Sequence, residues 1–222
     1  MKNPSPLTRI LIPLLLLLLL FLLSSSASQA APSSLSRGSS LSVGDDSDVL
    51  LVSPSKSFSC GFYNVGSNAY AFSIWFSDFA NKTVAWTANR DHPVNGHGSK
   101  ISFREDGGMV LADTDGTVVW STNTSSTQAD RVQLLDTGNL VLKDPSGNIL
   151  WQSFDSPTDT LLPTQPITKT IQVVSAAAPR SLSSGYYSLY FDNDNVLRLI
   201  YDGPEISTGE WRGIMGRRDG GF

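Results

Sequence analysis

The chain has 222 residues, 20 acidic against 16 basic side chains, a net charge of −4 and one cysteine, Cys60. An acidic chain of this kind lacks the electrostatic footprint of a nucleic-acid or anionic-lipid binder. A lone cysteine cannot form an internal disulfide, so the core has to supply the stability.

The first segment sets the compartment. Lys2 and Arg9 make a short positive start, Ile10 to Leu23 is apolar with leucine at every position from 14 to 20, and small residues follow from Ser24 to Ala31. That order is the layout of a secretory signal peptide. A membrane anchor is the competing reading, but a spanning helix takes about 20 apolar residues. This run covers 14 positions and holds Pro13. Ser28-Gln29-Ala30 fits a small-x-small cleavage site, with Ala27 as a second site, so residues 1–30 are expected to leave. The mature chain is then 192 residues long with a net charge near −6, secreted and not inserted in a membrane. Cys60 lies in the apolar run Phe58 to Phe62 and reads as buried, the alternative being a bond to another chain. Two N-x-[ST] sequons, at Asn81 and Asn123, become glycosylation sites in a secreted protein.

Short strand-like runs begin near residue 41. They are Val49–Val52, Ser57–Tyr63, Ala69–Phe76, Thr83–Thr87, Lys100–Phe103, Gly108–Ala112, Thr117–Ser121, Val132–Leu135, Leu140–Lys143 and Asn148–Gln152. Turn signals separate them, among them Asp106-Gly107-Gly108, Asp136-Thr137-Gly138-Asn139 and Asp144 to Asn148, where Gly and Asn supply positive φ. No helical period follows the leader. Val84-Ala85-Trp86, Val118-Val119-Trp120 and Ile149-Leu150-Trp151 each end a strand in Trp, at spacings of 34 and 31 residues. The hairpin before the last two also repeats, as Gly108-Met109-Val110-Leu111 and Asn139-Leu140-Val141-Leu142. Three such units predict an all-β prism of three antiparallel sheets, with Trp86, Trp120 and Trp151 in the shared core.

Three stretches carry a family resemblance: Trp86 to Val94 (WTANRDHPV), Leu134 to Leu142 (LLDTGNLVL) and Trp151 to Pro163 (WQSFDSPTDTLLP). In this order they resemble the bulb-type lectin domain of plant G-type lectin S-receptor-like serine/threonine kinases. The likeness runs over residues 41–165. Ser184 to Tyr190 and Val196 to Tyr201 are similar to the start of that family's next extracellular region. The resemblance implies a β-prism, in agreement with the repeat, and relatives that continue into a membrane span and a kinase. No kinase motif occurs in this chain. The expected division is a signal peptide at 1–30, a lectin domain at 31–165, and a partial second region at 166–222 whose strands Tyr186–Phe191 and Val196–Tyr201 form a hairpin with a poorly ordered end.

Mannose-binding members of the family show the pattern Gln-x-Asp-x-Asn-x-Val-x-Tyr, whose alternation puts all five side chains on one strand face. Here Arg104, Asp106, Gly108, Val110 and Ala112 occupy one copy, with only Asp106 and Val110 matching. Leu135, Thr137, Asn139, Val141 and Lys143 occupy a second, with Asn139 and Val141 matching. Each lost group removes a hydrogen bond worth about 0.5–1.5 kcal/mol, so the sugar motif is degenerate and negligible mannose binding is expected. Asp106 and Asn139 also sit where turns use such residues to cap the backbone. No cofactor, metal site or enzyme activity is expected: His92 and His97 lie in an irregular loop, and Asp155 and Asp159 flank Pro157 in a turn motif. The partner is a mannose-type glycan or another cell-surface protein, the chain being either a lectin-like recognition module or an interaction fragment without sugar binding. A truncated product with no role of its own is the third reading.

Overall fold

The computed structural model describes residues 31–78 and 82–204. The expected signal segment, the Asn81 sequon and residues 205–222 lie outside the described residues. Between them the chain is all-β, and among the described residues its one helical piece is a single 3-10 turn at Ser153–Asp155.

Three antiparallel sheets make the prism. The first has β3 (Val49–Val52), β4 (Phe58–Gly66), β5 (Ala69–Phe76) and β6 (Val84–Thr87), with the two-residue β7 (Val94–Asn95) also on β5. The second runs β2 (Ser40–Ser42), β8 (Lys100–Phe103), β9 (Met109–Ala112), β10 (Val118–Ser121). The third runs β1 (Ser34–Ser36), β11 (Arg131–Leu134), β12 (Leu140–Lys143), β13 (Ile149–Gln152). The sequence reading missed β1, β2 and β7. Each is two or three residues long with a single apolar side chain, too short for alternation to register. The first two matter for closure, because consecutive Ser-Leu-Ser segments complete two different sheets.

The inner faces alternate as a half-buried sheet requires. Cys60 and Phe62, Phe72 and Ile74, Ile101 and Phe103, Met109 and Leu111, Val132 and Leu134, and Leu140 and Leu142 are all buried in one cluster. The repeat is visible in the register: Trp86 pairs with Ile74, Trp120 with Leu111 and Trp151 with Leu142. The three indoles meet edge to face, with ring centroids 5.9, 6.1 and 5.5 Å apart. Two residues after each Trp the chain is tied back to its own hairpin. Thr122 and Ser153 accept the N–H of Met109 and Leu140 on their hydroxyls. The first unit has Ala88 there, and the next residue, Asn89, takes over by accepting the Phe72 N–H on Oδ1 at 2.8 Å.

A fourth sheet of β14 (Gln172–Ala176), β15 (Ser184–Phe191) and β16 (Leu197–Tyr201) follows. The sequence reading had the last two strands as a hairpin and missed β14. The turn between β15 and β16 repeats the prism's hairpin closure: Asn195 donates to Asp192 as Gly107 does to Arg104 and Gly138 to Leu135. All three closing residues have positive φ, which Asn tolerates better than other side chains. β14 and β15 are clamped by Arg90, whose guanidinium donates to the carbonyls of Val174, Ser175, Leu182 and Ser183 at 2.7–3.2 Å. Next to it, the Asp91 carboxylate accepts the Ser184 N–H at 2.7 Å and its hydroxyl at 2.6 Å.

Partial burial pushes the Asp91 pKa up, but the two Ser184 hydrogen bonds and the nearby Arg90 and His92 outweigh it, and the net shift is downward. A lowered folded-state pKa gives stability that is present above the ordinary aspartate value of about 3.9. That stability is lost as pH falls through the lower folded value. Thermal melts should therefore show the native protein losing midpoint between about pH 5 and 3 more steeply than Asp91→Asn. Parallel curves for the two proteins would show that Asp91 contributes nothing to the docking of β15.

Candidate carbohydrate site

The degenerate motif on the second sheet spans a turn and a strand, and not one strand face. Arg104 to Gly108 is the β8–β9 turn, closed by the Arg104 N–H to the Gly108 carbonyl at 2.8 Å. The alternation expected from the sequence therefore holds only for Gly108, Val110 and Ala112. Along β9, Met109 and Leu111 are buried inward and the half-buried Val110 and Ala112 face out.

The two polar members are spent on each other and on the turn. Arg104 Nη2 lies 3.4 Å from Asp106 Oδ2, and Asp106 Oδ1 accepts the Gly108 N–H at 2.9 Å. The loop after β10 closes over the same turn. Ser126 donates its N–H to the Asp106 carbonyl at 2.7 Å and Thr124 its hydroxyl to the Gly107 carbonyl at 2.8 Å. Arg37 braces both loops through the carbonyls of Glu105, Thr127 and Ala129. A Cβ on Gly108 would lie 2.5 Å from Ser125 Oγ. The place of the family's Asn is occupied by this loop.

On the third sheet Asn139 ends the β11–β12 turn and is buried. Its Nδ2 donates to Gln152 Oε1 at 2.9 Å, and its Oδ1 accepts the Ser153 hydroxyl at 3.1 Å and the Phe154 N–H at 3.3 Å. Val141 is fully buried. Lys143, in the place of the family's Tyr, donates to Gln133 Oε1 at 3.0 Å. The polar side chains Arg104, Asp106, Asn139 and Lys143 of the two copies thus each have a partner within the protein.

Asn123 is exposed at positive φ just after β10, accepting the Ser121 hydroxyl. Among the described residues no group of three His, Cys, Asp or Glu side chains could hold a metal ion. His97 packs against Gly44, and Asp155 and Asp159 accept from Gln152 and Thr160. The roles of Arg37, Arg90 and Asp91 escaped the sequence reading. Their partners are backbone carbonyls and Ser184, far along the chain, and leave no local signal.

Three sheets closing on a tryptophan triad, with a hairpin motif repeated around it, define a bulb-lectin β-prism. Residues 83–181 match the family model described as D-mannose binding lectin. The Zea mays receptor protein kinase ZmPK1 is 47% identical over 180 residues, which is 78% of this chain and 22% of the kinase. The Arabidopsis thaliana EP1-like glycoprotein 4 is 46% identical over 143 residues, 62% of this chain and 32% of the glycoprotein. The Arabidopsis G-type lectin S-receptor-like serine/threonine-protein kinase B120 is 34% identical over 198 residues, 83% of this chain and 23% of the kinase. The chain therefore carries a bulb-type lectin domain, a non-enzymatic one, related to those of G-type lectin S-receptor-like kinases and EP1-like glycoproteins. It spans about a quarter to a third of the length of these relatives.

If Asn139 is a structural brace, Asn139→Ala leaves the buried Phe154 N–H without its acceptor and should cost about 1–3 kcal/mol in urea unfolding. Arg104→Ala, which breaks only an exposed ion pair, should cost at most about 1 kcal/mol. An Asn139→Ala protein as stable as the native one would mean that the amide is free for a ligand.

Proposed function

We propose that the chain is a secreted lectin-like recognition domain whose two mannose-type motifs are closed by its own side chains. The observation that carries this is Asn139: both its polar side-chain atoms are engaged inside the protein. A second support is the loop at 124–126, which occupies the space over Gly108. Recognition then uses another part of the surface, toward a different glycan or a cell-surface protein. The reading includes removal of residues 1–30, N-glycans at Asn81 and Asn123, and a lectin domain at 31–165. Residues 166–222 begin a second extracellular region; the separate sheet that β14, β15 and β16 form supports that division. The names of the EP1-like relatives, which are glycoproteins, agree with it.

Calorimetric titration with methyl mannoside should give a Kd weaker than about 1 mM, a binding free energy of no more than about −4 kcal/mol. Rebuilding the second-sheet motif needs four changes: Arg104→Gln, Gly108→Asn, Ala112→Tyr, and Ser125→Ala to clear the space above residue 108. If the family's pattern reads a sugar across this turn, that variant gains mannose binding that the native protein lacks; a folded variant without binding would show that the pattern needs the single strand face that the turn at 104–108 denies it. Tight binding by the native protein would sink the closed-site reading. Glycosidase treatment should also lower the mass of the secreted protein, and an unchanged mass would remove the glycoprotein part of the proposal.

A further inference from the structure

A cleft of about 1040 Å3 opens between the first sheet and the turn joining β14 to β15. One wall carries Tyr63 and Lys82, the other Arg180 and Ser181, and Asp159 and Thr160 also line it. The volume is in the range of sites that enclose a small organic ligand.

Two features of the cleft are unusual. First, Arg180 stands at φ +67°. Ala178 to Ser181 is a β-turn, closed by the Ser181 N–H to the Ala178 carbonyl at 3.0 Å, with Pro179 at its second position. Proline there with positive φ next is a type II turn, whose third position favours Gly or Asn. Arginine breaks that local rule, and such breaks collect at functional positions, where the side chain is worth the strain. Arg90 and Asp91 hold the chain on both sides of this turn, through Val174, Ser175, Leu182, Ser183 and Ser184, and so fix the backbone that carries Arg180.

Second, among the described residues neither cation of the cleft is in an ion pair. The pairs there are Arg104–Asp106 and Arg198–Asp192, neither of which involves Lys82 or Arg180. Lys82 is held instead over the Trp75 ring, 4.8 Å from its centroid. Trp75 is in turn covered by the half-buried Tyr63. The cleft is thus lined by two cations, Lys82 and Arg180, against one carboxylate, Asp159, a balance that suits a ligand carboxylate.

From these observations we infer that the cleft binds an acidic saccharide, a chain of uronate residues. Its carboxylate pairs with Arg180 and Lys82. The apolar C–H face of a sugar ring lies against Tyr63, and ring hydroxyls meet Asp159, Thr160 and Ser181. Asp159 favours a saccharide over a phosphate or a polyacidic peptide, because its carboxylate accepts hydrogen bonds from the ring hydroxyls that those ligands lack. The inference deepens the recognition reading by naming a ligand class and a place, and it rests on that reading only in treating the domain as a binder. The mannose titration tests the closed motifs independently, so the two can fail separately.

The test uses the secreted protein and a trimer of α-1,4-linked galacturonate, with its fully methyl-esterified form as the uncharged control. The acid form should bind, and the ester about tenfold or more weakly, because the charge-assisted pairing is lost. Lys82→Ala and Arg180→Gly should each weaken binding about fivefold or more. Arg180→Gly puts the residue that a type II turn prefers at this position, so its thermal midpoint should not fall, and its lost affinity cannot be put down to unfolding. Equal binding of acid and ester, no binding of either, or unchanged affinity in both variants would overturn the inference. Equally tight binding of oligoglutamate would overturn it too, by showing a site that reads charge alone.

Discussion

Everything in this fold hangs on three indoles meeting on one axis. Trp86, Trp120 and Trp151 come from the last strand of each sheet, and each stands opposite a fully buried aliphatic partner. Their edge-to-face contacts add about 0.5–1.5 kcal/mol apiece beyond the area they bury. More important is the geometry: Trp86 is buried, and Trp120 and Trp151 are half-buried and pack against the core beside it, so the three rings tie three short sheets together without a disulfide. Cys60 adds nothing covalent. It is fully buried on β4, and burial pushes its thiol far above the ordinary range, leaving it an inert small hydrophobe.

With the inner faces committed to that core, variation is left to the outer faces and the loops, and the three sheets have diverged there. The second sheet is closed over by the loop after β10, and the third turns its Asn139 inward to brace the corner at Ser153 and Phe154. On the first sheet the outer Ser73 and Trp75 are buried too, with Tyr63 and Lys82 against Trp75 at the edge. A threefold architecture thus imposes equivalent positions without imposing equivalent chemistry. Any one position can be turned from binding to bracing by a single neighbouring side chain, as Ser125 does at Gly108.

The prism was legible because its signals are local and repeated. The strands from β3 to β13, β7 excepted, stand out as short apolar runs between turn residues, and the strand-ending Trp recurs at nearly constant spacing. The strands that were not legible are those whose existence depends on partners. β1 and β2 hold one leucine each and exist because β11 and β8 have open edges. β14 is fixed by β15 and by the Arg90 clamp. The candidate site was legible as a motif and misread as a surface. Period-two alternation was carried through Arg104 to Gly108, where the chain turns and the period no longer applies. Nothing near Asn139 in sequence reveals that Gln152, Ser153 and Phe154 would absorb both its polar atoms.

The stretch that made the family recognisable turns out to be architectural. In Trp86 to Val94, Trp86 enters the triad and donates its indole N–H to the Ser156 carbonyl. Asn89 replaces the hydroxyl tie that the other two units make, and Arg90 and Asp91 dock the fourth sheet. Substituting any of these would disturb packing before it disturbed binding. Likeness in this stretch therefore reports that the prism and its extension are joined in the same way, and says little about what is bound. The residues that differ from the family's sugar pattern, and Arg180, take no part in these joints. Arg104, Gly108, Leu135, Thr137 and Arg180 lie on turns, and Ala112 and Lys143 at the ends of strands. Fixed braces beneath exposed loops leave those loops able to change without disturbing the core, which is how one fold can carry different sites.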